Sequence, residues 1–302
     1  MVQPRQFDTT IDECTSLKIH FGIHQISKER VLDDAKPVVV ILDQFFNQIN
    51  ELDGSKVIIY GSWVRGTSVY TISDLNIAYE LPQKIIERVI NLQFGGPIGL
   101  LNLIYNLLTK NFPFVSANFN EGSISVKLSS NLTVSLRPCL RYPQVGLTYA
   151  NGSRGGVWRS FNPQLCIDAF QKLDPVIREN LIAICRATRL WKKNFSVPIT
   201  GVLIDVLAYN FIHLSPYRNK SVKYNDCMLR DFFQFLGNVD REQDTWRAPL
   251  SSETIIRTGY FENLAQDAYL LAQQAIDCYS ARQERDSIKL WRRVLGPEYI
   301  EA

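Results

Sequence analysis

Apolar residues recur at helical spacing through residues 8–49, where Val39, Val40, Leu42, Phe45, Phe46 and Ile49 follow the pattern, and this predicts helix over most of that span. Pro37 marks a helix start or a kink within it. The period then changes. Residues 56–60 and 75–81 read as strands, and 82–108 returns to helix with a break at Gly95-Gly96-Pro97. The segment SISVKLSSNLTVSLRPCL holds two alternating runs joined at Ser130-Asn131, which predicts a hairpin. Residues 142–162 are rich in Gly, Pro and Ser and form the best boundary. Beyond them, 163–170, 175–194, 201–213, 226–236, 253–279 and 281–295 carry helical periodicity. The order predicts an α+β fold of two lobes with a cleft between them. Residues 1–160 form a mixed-sheet lobe with N-terminal helices, and 161–302 form a helical lobe.

Composition narrows this only a little. Of 302 residues, 46% are hydrophobic and 21% charged, enough for one large core or two modest ones. The net charge of +3 gives no strong nucleic-acid signal, because sequence-blind binding needs dense basic patches. The six cysteines include no C-x-x-C pair and sit among apolar or helical neighbours, as buried thiols in a reducing compartment do. The N-terminus lacks an apolar leader core, and the apolar stretch 97–108 is too short for a bilayer and is interrupted by Asn102 and Asn106. The expectation is a soluble, cytoplasmic protein without a membrane partner. His20 and His24 stand four apart without a third ligand and read as surface or packing residues. Trp191 and Trp291 read as core anchors. The cluster Arg186, Arg189, Lys192 and Lys193 fits the rim of a phosphate-facing cleft better than a plain solvated helix end.

The chemistry concentrates in VIIYGSWVRGTSVYTISDLNIAYEL, from Val57 to Leu81. A strand delivers Gly61-Ser62 to a helix start, where glycine admits close approach and the backbone N–H groups and the Ser62 hydroxyl can hold a phosphate. Gly66-Thr67 adds a second small, hydroxylated pair. Asp74 and Asn76 lie two apart on a strand and share a face, as do Thr133, Ser135 and Arg137 on the hairpin. A phosphate cradle followed by converging oxygen ligands is what a nucleoside triphosphate with Mg²⁺ requires.

These residues resemble a known signature. GSWVRGTSVYTISDLNI is similar to the G-S…S-D-h-[DE]-h unit of the polymerase-beta-like nucleotidyltransferases (h, apolar), except at Asn76. LTVSLRPCL resembles the strand bearing that family's third carboxylate, with Ser135 in the acidic place. GGVWRSFNP, RATRLW, ITGVLIDVLAY and AIDCYSARQERDSIKLWRRVLG resemble later motifs of the CD-NTases, the bacterial relatives of cyclic GMP-AMP synthase and oligoadenylate synthetase. Arg189 stands in a lysine place, Thr200 in a serine place and Asp205 in a glutamate place. The resemblance covers most of the chain from about residue 40. It implies nucleotidyl transfer that joins NTPs into cyclic or linear messengers used in antiphage signalling, with release of pyrophosphate and with Mg²⁺ or Mn²⁺ as cofactor. It also implies nucleotide contacts by Gly61, Ser62, Thr67, Ser73, Arg189, Thr200 and Tyr209, and a catalytic group at Asp74, Asn76 and Ser135 in which Asp74 and Asn76 are the metal ligands. A regulatory protein partner fits the same class.

Only one of the three carboxylates implied by the resemblance is present. A unit charge 4 Å from a dication is worth about 8 kcal/mol at an effective dielectric near 20, much of it offset by desolvation. A loss of a few kcal/mol per missing carboxylate slows a reaction by several decades. Three accounts stand side by side: a pseudoenzyme that binds nucleotide or a partner, an active enzyme that draws acids from elsewhere such as Glu80 or Glu121, and an introduced Asp-to-Asn change at residue 76.

Overall fold

A computed structural model describes residues 28–47, 56–69, 74–90, 95–128, 132–142, 146–251 and 253–297. The expected helix before residue 28, His20, His24, Ser73 and the Ser130-Asn131 turn lie outside the described residues. The elements run α1 (Lys28–Asn47), β1 (Val57–Tyr60), α2 (Ser62–Arg65), β2 (Asp74–Glu80), α3 (Gln83–Ile90), α4 (Gly96–Thr109), β3 (Val115–Asn118), β4 (Ser123–Lys127), β5 (Thr133–Tyr142), β6 (Gly146–Asn151) and β7 (Val157–Phe161). There follow α5 (Pro163–Gln171), α6 (Pro175–Asn194), α7 (Gly201–Ile212), α8 (Asn225–Gly237), the short pair β8 (Thr245–Arg247) and β9 (Thr254–Ile256), α9 (Glu262–Ser280) and α10 (Glu284–Leu295). The α+β class holds.

The chain divides into two compact units. One holds the described residues up to Lys172 together with Arg247–Ile255, and the other holds Leu173–Trp246 and the described residues from Ile256 onward. The division falls later than residue 160 because the Gly-rich segment 142–162 is not a linker. Its β6 and β7 extend the sheet, β6 pairing with β5 and β7 with β6. Residues 253–261, expected to open a long helix, form β9 and a loop instead, and α9 starts only at Glu262. Pro37 lies inside α1, which continues through it.

In the first unit a mixed sheet runs β1-β2-β5-β4-β3. β2 and β5 are parallel, and β1–β2 and β4–β5 are antiparallel. One face carries Leu75, Ile77, Tyr79, Ile124, Val126, Val134 and Leu136 against Val38, Val39, Leu42 and Phe46 of α1 and Leu100, Leu101 and Ile104 of α4. Each fully buried side chain of this kind stabilises by about 1.5–3 kcal/mol. Tyr79 also donates to the buried Asp43 of α1 at 2.6 Å, which fixes the helix on the strand. β5 passes from β4 to β6 along one edge at Pro138, whose missing N–H suits the handover.

The opposite face is divided. Ile58, Tyr60, Ala78, Cys139, Leu147, Tyr149 and Phe161 form a second, smaller core over one end of it. The other end, toward Asp74 and Thr133, carries polar side chains.

The helical unit is built on α6, α8, α9 and α10. Asp174 caps α6 by accepting from the Val176 N–H at 3.0 Å, with Pro175 in the first turn. Trp191 and Trp291 are fully buried, and Trp191 packs on Phe233 with ring centroids 5.3 Å apart. Both are core anchors, as expected. Ala265, Ala268, Ala272 and Ala275 line the buried stripe of α9.

Candidate active site

The polar end of the divided face is arranged in rows that the strand register sets. Tyr60 stands opposite Asn76, Asn76 opposite Ser135, Ser135 opposite Ser125, and Ser125 opposite Ser116. Side chains at paired positions share a face. Four adjacent strands therefore present Asn76, Ser135, Ser125 and Ser116 in one line, and the Ser125 and Ser135 hydroxyl oxygens are 3.3 Å apart. The next row holds Asp74, Thr133 and Lys127. Asp74 and Lys127 are exposed, and Asn76, Ser135 and Thr133 are partly exposed.

The turn after β1 borders this row. Gly61 has φ +87° and ψ −156°, a conformation that glycine alone adopts easily, and a Cβ there would lie 2.7 Å from the Asn76 amide nitrogen. The Ser62 carbonyl accepts from the Thr67 N–H at 2.9 Å and the Ser68 N–H at 3.2 Å, which closes the turn. Thr67 is wholly buried, and its hydroxyl also lies toward the Ser62 carbonyl at 3.5 Å. Thr67 is thus a clasp beneath the turn, which differs from its expected phosphate contact. Ser62 stays partly exposed.

Beyond Ser135 on the same face, Arg137 is enclosed by three rings, its guanidinium carbon 4.3 Å from the Tyr149 centroid, 5.0 Å from Phe161 and 5.5 Å from Tyr60. It faces Glu253 at 3.6 Å and donates to the Glu121 carbonyl at 3.2 Å. Burial pushes the Tyr60 hydroxyl up to about 12, against the opposing pull of Arg137, and the Cys139 thiol up to about 12 for the same reasons. Glu80 is no substitute for a missing acid. It stands six residues along β2 from Asp74, about 20 Å at strand rise, and accepts from Nε and Nη2 of Arg141 at 2.9 and 2.7 Å.

Asp74, Asn76 and Ser135 therefore share one sheet face, and the turn at Gly61, which leads into Ser62, abuts Asn76. Arg189, Thr200 and Tyr209 belong to the helical unit. Arg189 is 4% exposed and committed to its own unit, lying 2.6 Å from Asp205 and donating to the carbonyls of Gly201 and Cys185. Burial opposes its charge, and Asp205 together with Cys185 more than offsets that. This differs from the expected triphosphate contact, because a guanidinium so placed is already neutralised. Thr200 caps α7, its hydroxyl accepting from the Leu203 N–H at 3.2 Å. Tyr209 packs edge-on against His213 at 5.0 Å. Burial and the neighbouring Arg189 draw Arg186 down to about 10.

Among the described residues no three His, Cys, Asp or Glu side chains group so as to hold a metal ion. At the three positions where the resemblance implies carboxylates, the side chains are one carboxylate, one amide and one hydroxyl. Two divalent ions need several converging anionic oxygens, so these residues do not fit a two-ion centre. Sequence reasoning missed Ser125 and Ser116. The alternation in SISVK signals which residues share a face, but the register that aligns them with Ser135 is tertiary.

Residues 26–174 match the family model described as Second Messenger Oligonucleotide or Dinucleotide Synthetase domain. No curated protein matches the chain. Among solved structures, E. coli MS115-1 CdnC with ATP is similar at 17% identity and a TM-score of 0.60, covering 90% of this chain and 93% of that one. The same CdnC in complex with HORMA-deltaN gives 18% identity and a TM-score of 0.59, with coverage of 91% and 94%. Vibrio cholerae DncV cyclic AMP-GMP synthase, in complex with a linear intermediate pppA(3',5')pG, gives 12% and 0.61, with 94% and 82% covered. At these identities the likeness is one of fold. No described helix is long and apolar enough to cross a membrane.

Proposed function

We propose an activity from one premise: the chain belongs to the CD-NTases of the polymerase-beta-like superfamily, with a Second Messenger Oligonucleotide or Dinucleotide Synthetase domain over residues 26–174. It is a nucleotidyltransferase that joins nucleoside triphosphates into a cyclic or linear oligonucleotide messenger and releases pyrophosphate. The observation that supports this best is the polar end of the sheet face, with Asp74 and Asn76 on β2 beside Ser135 on the parallel β5, open on one face and bordered by the Gly61-Ser62 turn.

In this reading the Ser62 hydroxyl and nearby N–H groups hold donor phosphate oxygens. A ribose hydroxyl of the second nucleotide attacks the α-phosphorus, the bond to the bridging oxygen breaks, and pyrophosphate leaves. Asp74 accepts the proton of the attacking hydroxyl. Asn76 and Ser135 donate hydrogen bonds to phosphate oxygens. Mg²⁺ or Mn²⁺ is the cofactor the family implies, but this donor set does not fit the two-ion centre, and no step here runs through it.

Neutral residues at 76 and 135 make turnover slow, by about two to three decades for each few kcal/mol of lost stabilisation. The work of a messenger synthase in antiphage signalling, inside the cell where NTPs are made, belongs to the same proposal. So does a regulatory protein partner, suggested by the CdnC complex with HORMA-deltaN.

The test is incubation of the full chain with labelled NTPs and Mg²⁺ or Mn²⁺, followed by chromatography. The native chain is expected to yield oligonucleotide and pyrophosphate slowly. Asn76→Asp/Ser135→Asp is expected to raise the rate about 100-fold or more. If neither protein forms product, the reading is wrong.

A further inference from the structure

The line of Asn76, Ser135, Ser125 and Ser116 crosses four strands without a charge. The adjoining row sets Asp74 against Thr133 and Lys127, one acid and one base. Farther along the same face Arg137 faces Glu253 at 3.6 Å. The named charges of this face thus hold both signs, two acids and two bases. Building on the proposed nucleotide site, we infer that this face binds the triphosphate of a nucleotide without a divalent cation.

The reason is electrostatic. A site with three carboxylates repels a triphosphate strongly, and only bound cations make the two compatible. Where two of those positions are an amide and a hydroxyl, the repulsion that the cations would neutralise is mostly gone. The amide nitrogen of Asn76 and the hydroxyls of Ser135 and Ser125 are donors, so they turn from metal ligands into direct phosphate partners. Ser125 and Ser135 lie 3.3 Å apart, and either can release its hydrogen to a phosphate oxygen while accepting from the other. Lys127 stands exposed at the end of the next row, where a flexible ammonium reaches phosphate. Asp74 opposes phosphate binding by its charge, and Lys127, two strands away on the same row, favours it.

The geometry also positions the donor of residue 76. Its amide nitrogen occupies the space that a side chain at Gly61 would fill, 2.7 Å from the position of that Cβ. Asn76 is thus packed against the turn that carries Ser62, and its donor is held beside the phosphate cradle.

The experiment titrates the full chain with a fluorescent N-methylanthraniloyl ATP, once in EDTA and once in Mg²⁺, and repeats both with Asn76→Asp/Ser135→Asp. The native chain is expected to bind with Kd values within about threefold of each other in the two conditions, whereas the double variant binds at least about tenfold more weakly in EDTA. A native Kd that weakens about tenfold or more in EDTA overturns this inference and leaves the nucleotide site standing. A double variant without metal dependence overturns it too, since the row is then not where phosphate sits. Absence of binding by the native chain in both conditions overturns the inference together with the site on which it rests.

Discussion

Arg189 Nη1 lies 2.6 Å from Asp205 Oδ1, and both side chains are 4% exposed. A buried ion pair is weak evidence of net stability, but removing one partner leaves an uncompensated charge. Arg189→Ala is expected to cost about 3–5 kcal/mol, and Arg189→Met/Asp205→Leu to recover most of it. Urea unfolding measures both. A single variant as stable as the native chain would mean that the pair does not organise α6 and α7.

Gly61 and Gly146 separate strain from collision. Both have positive φ, +87° and +84°, but a Cβ at Gly61 meets Asn76 at 2.7 Å while one at Gly146 meets nothing within 4 Å. Gly146→Ala is expected to cost about 1 kcal/mol and Gly61→Ala about 2–3, with nucleotide binding lost only in the second. Thermal melting and titration with ATP read the two effects, and equal losses in both variants would remove the special place given to Gly61.

Alkali should weaken the sheet unit. Burial pushes Tyr60 and Cys139 up to about 12 each, from ordinary values near 10 and 9. Below pH 9 both are protonated whether the chain is folded or not, and the stability is full. Between pH 9 and 12 the unfolded chain releases protons that the folded chain keeps, so stability falls by about 1.4 kcal/mol per pH unit for each group in its window. Tyr60→Phe should flatten the slope between pH 10 and 12 by about that amount. Urea midpoints across the range test it, and an unchanged slope in the variant counts against the burial of the phenol.

Arg137 is predicted to be structural to a degree its position beside Ser135 does not suggest. Arg137→Ala removes three ring contacts and strips Glu253 of its partner, at a cost of about 2–4 kcal/mol. Lysine should recover less than half, because it lacks the flat guanidinium that sits among the rings. Calorimetric melting distinguishes these outcomes, and full recovery by lysine would mean that charge alone matters.

Much of the architecture was legible in the chain. Strands β1 and β2, the break at Gly95, the β4–β5 hairpin and helices α5 to α8 follow directly from apolar period and from caps such as Pro175 and Thr200. Two stretches misled. The Gly-rich 142–162 reads as the best boundary, yet β6 and β7 are strands, and the pairing of β6 with β5 and of β7 with β6 outweighs their weak local preference. Residues 253–261 carry a helical period but form β9 and a loop, since pairing with β8 decides their conformation.

The candidate site shows the same boundary. By itself the sequence showed that Gly61, Ser62, Asp74, Asn76 and Ser135 resemble parts of one signature, and that Asp74 and Asn76 share a face, because residue type and a two-residue strand period are local properties. It also determined that two of the three acids implied by the resemblance are neutral here. Tertiary structure alone decided that Ser125 and Ser116 extend the row, that Thr67 is a buried clasp, and that Arg189 is bound to Asp205. Those facts depend on strand register and on which helix meets which. Register and packing are set by contacts between residues far apart in the chain, which no local pattern encodes.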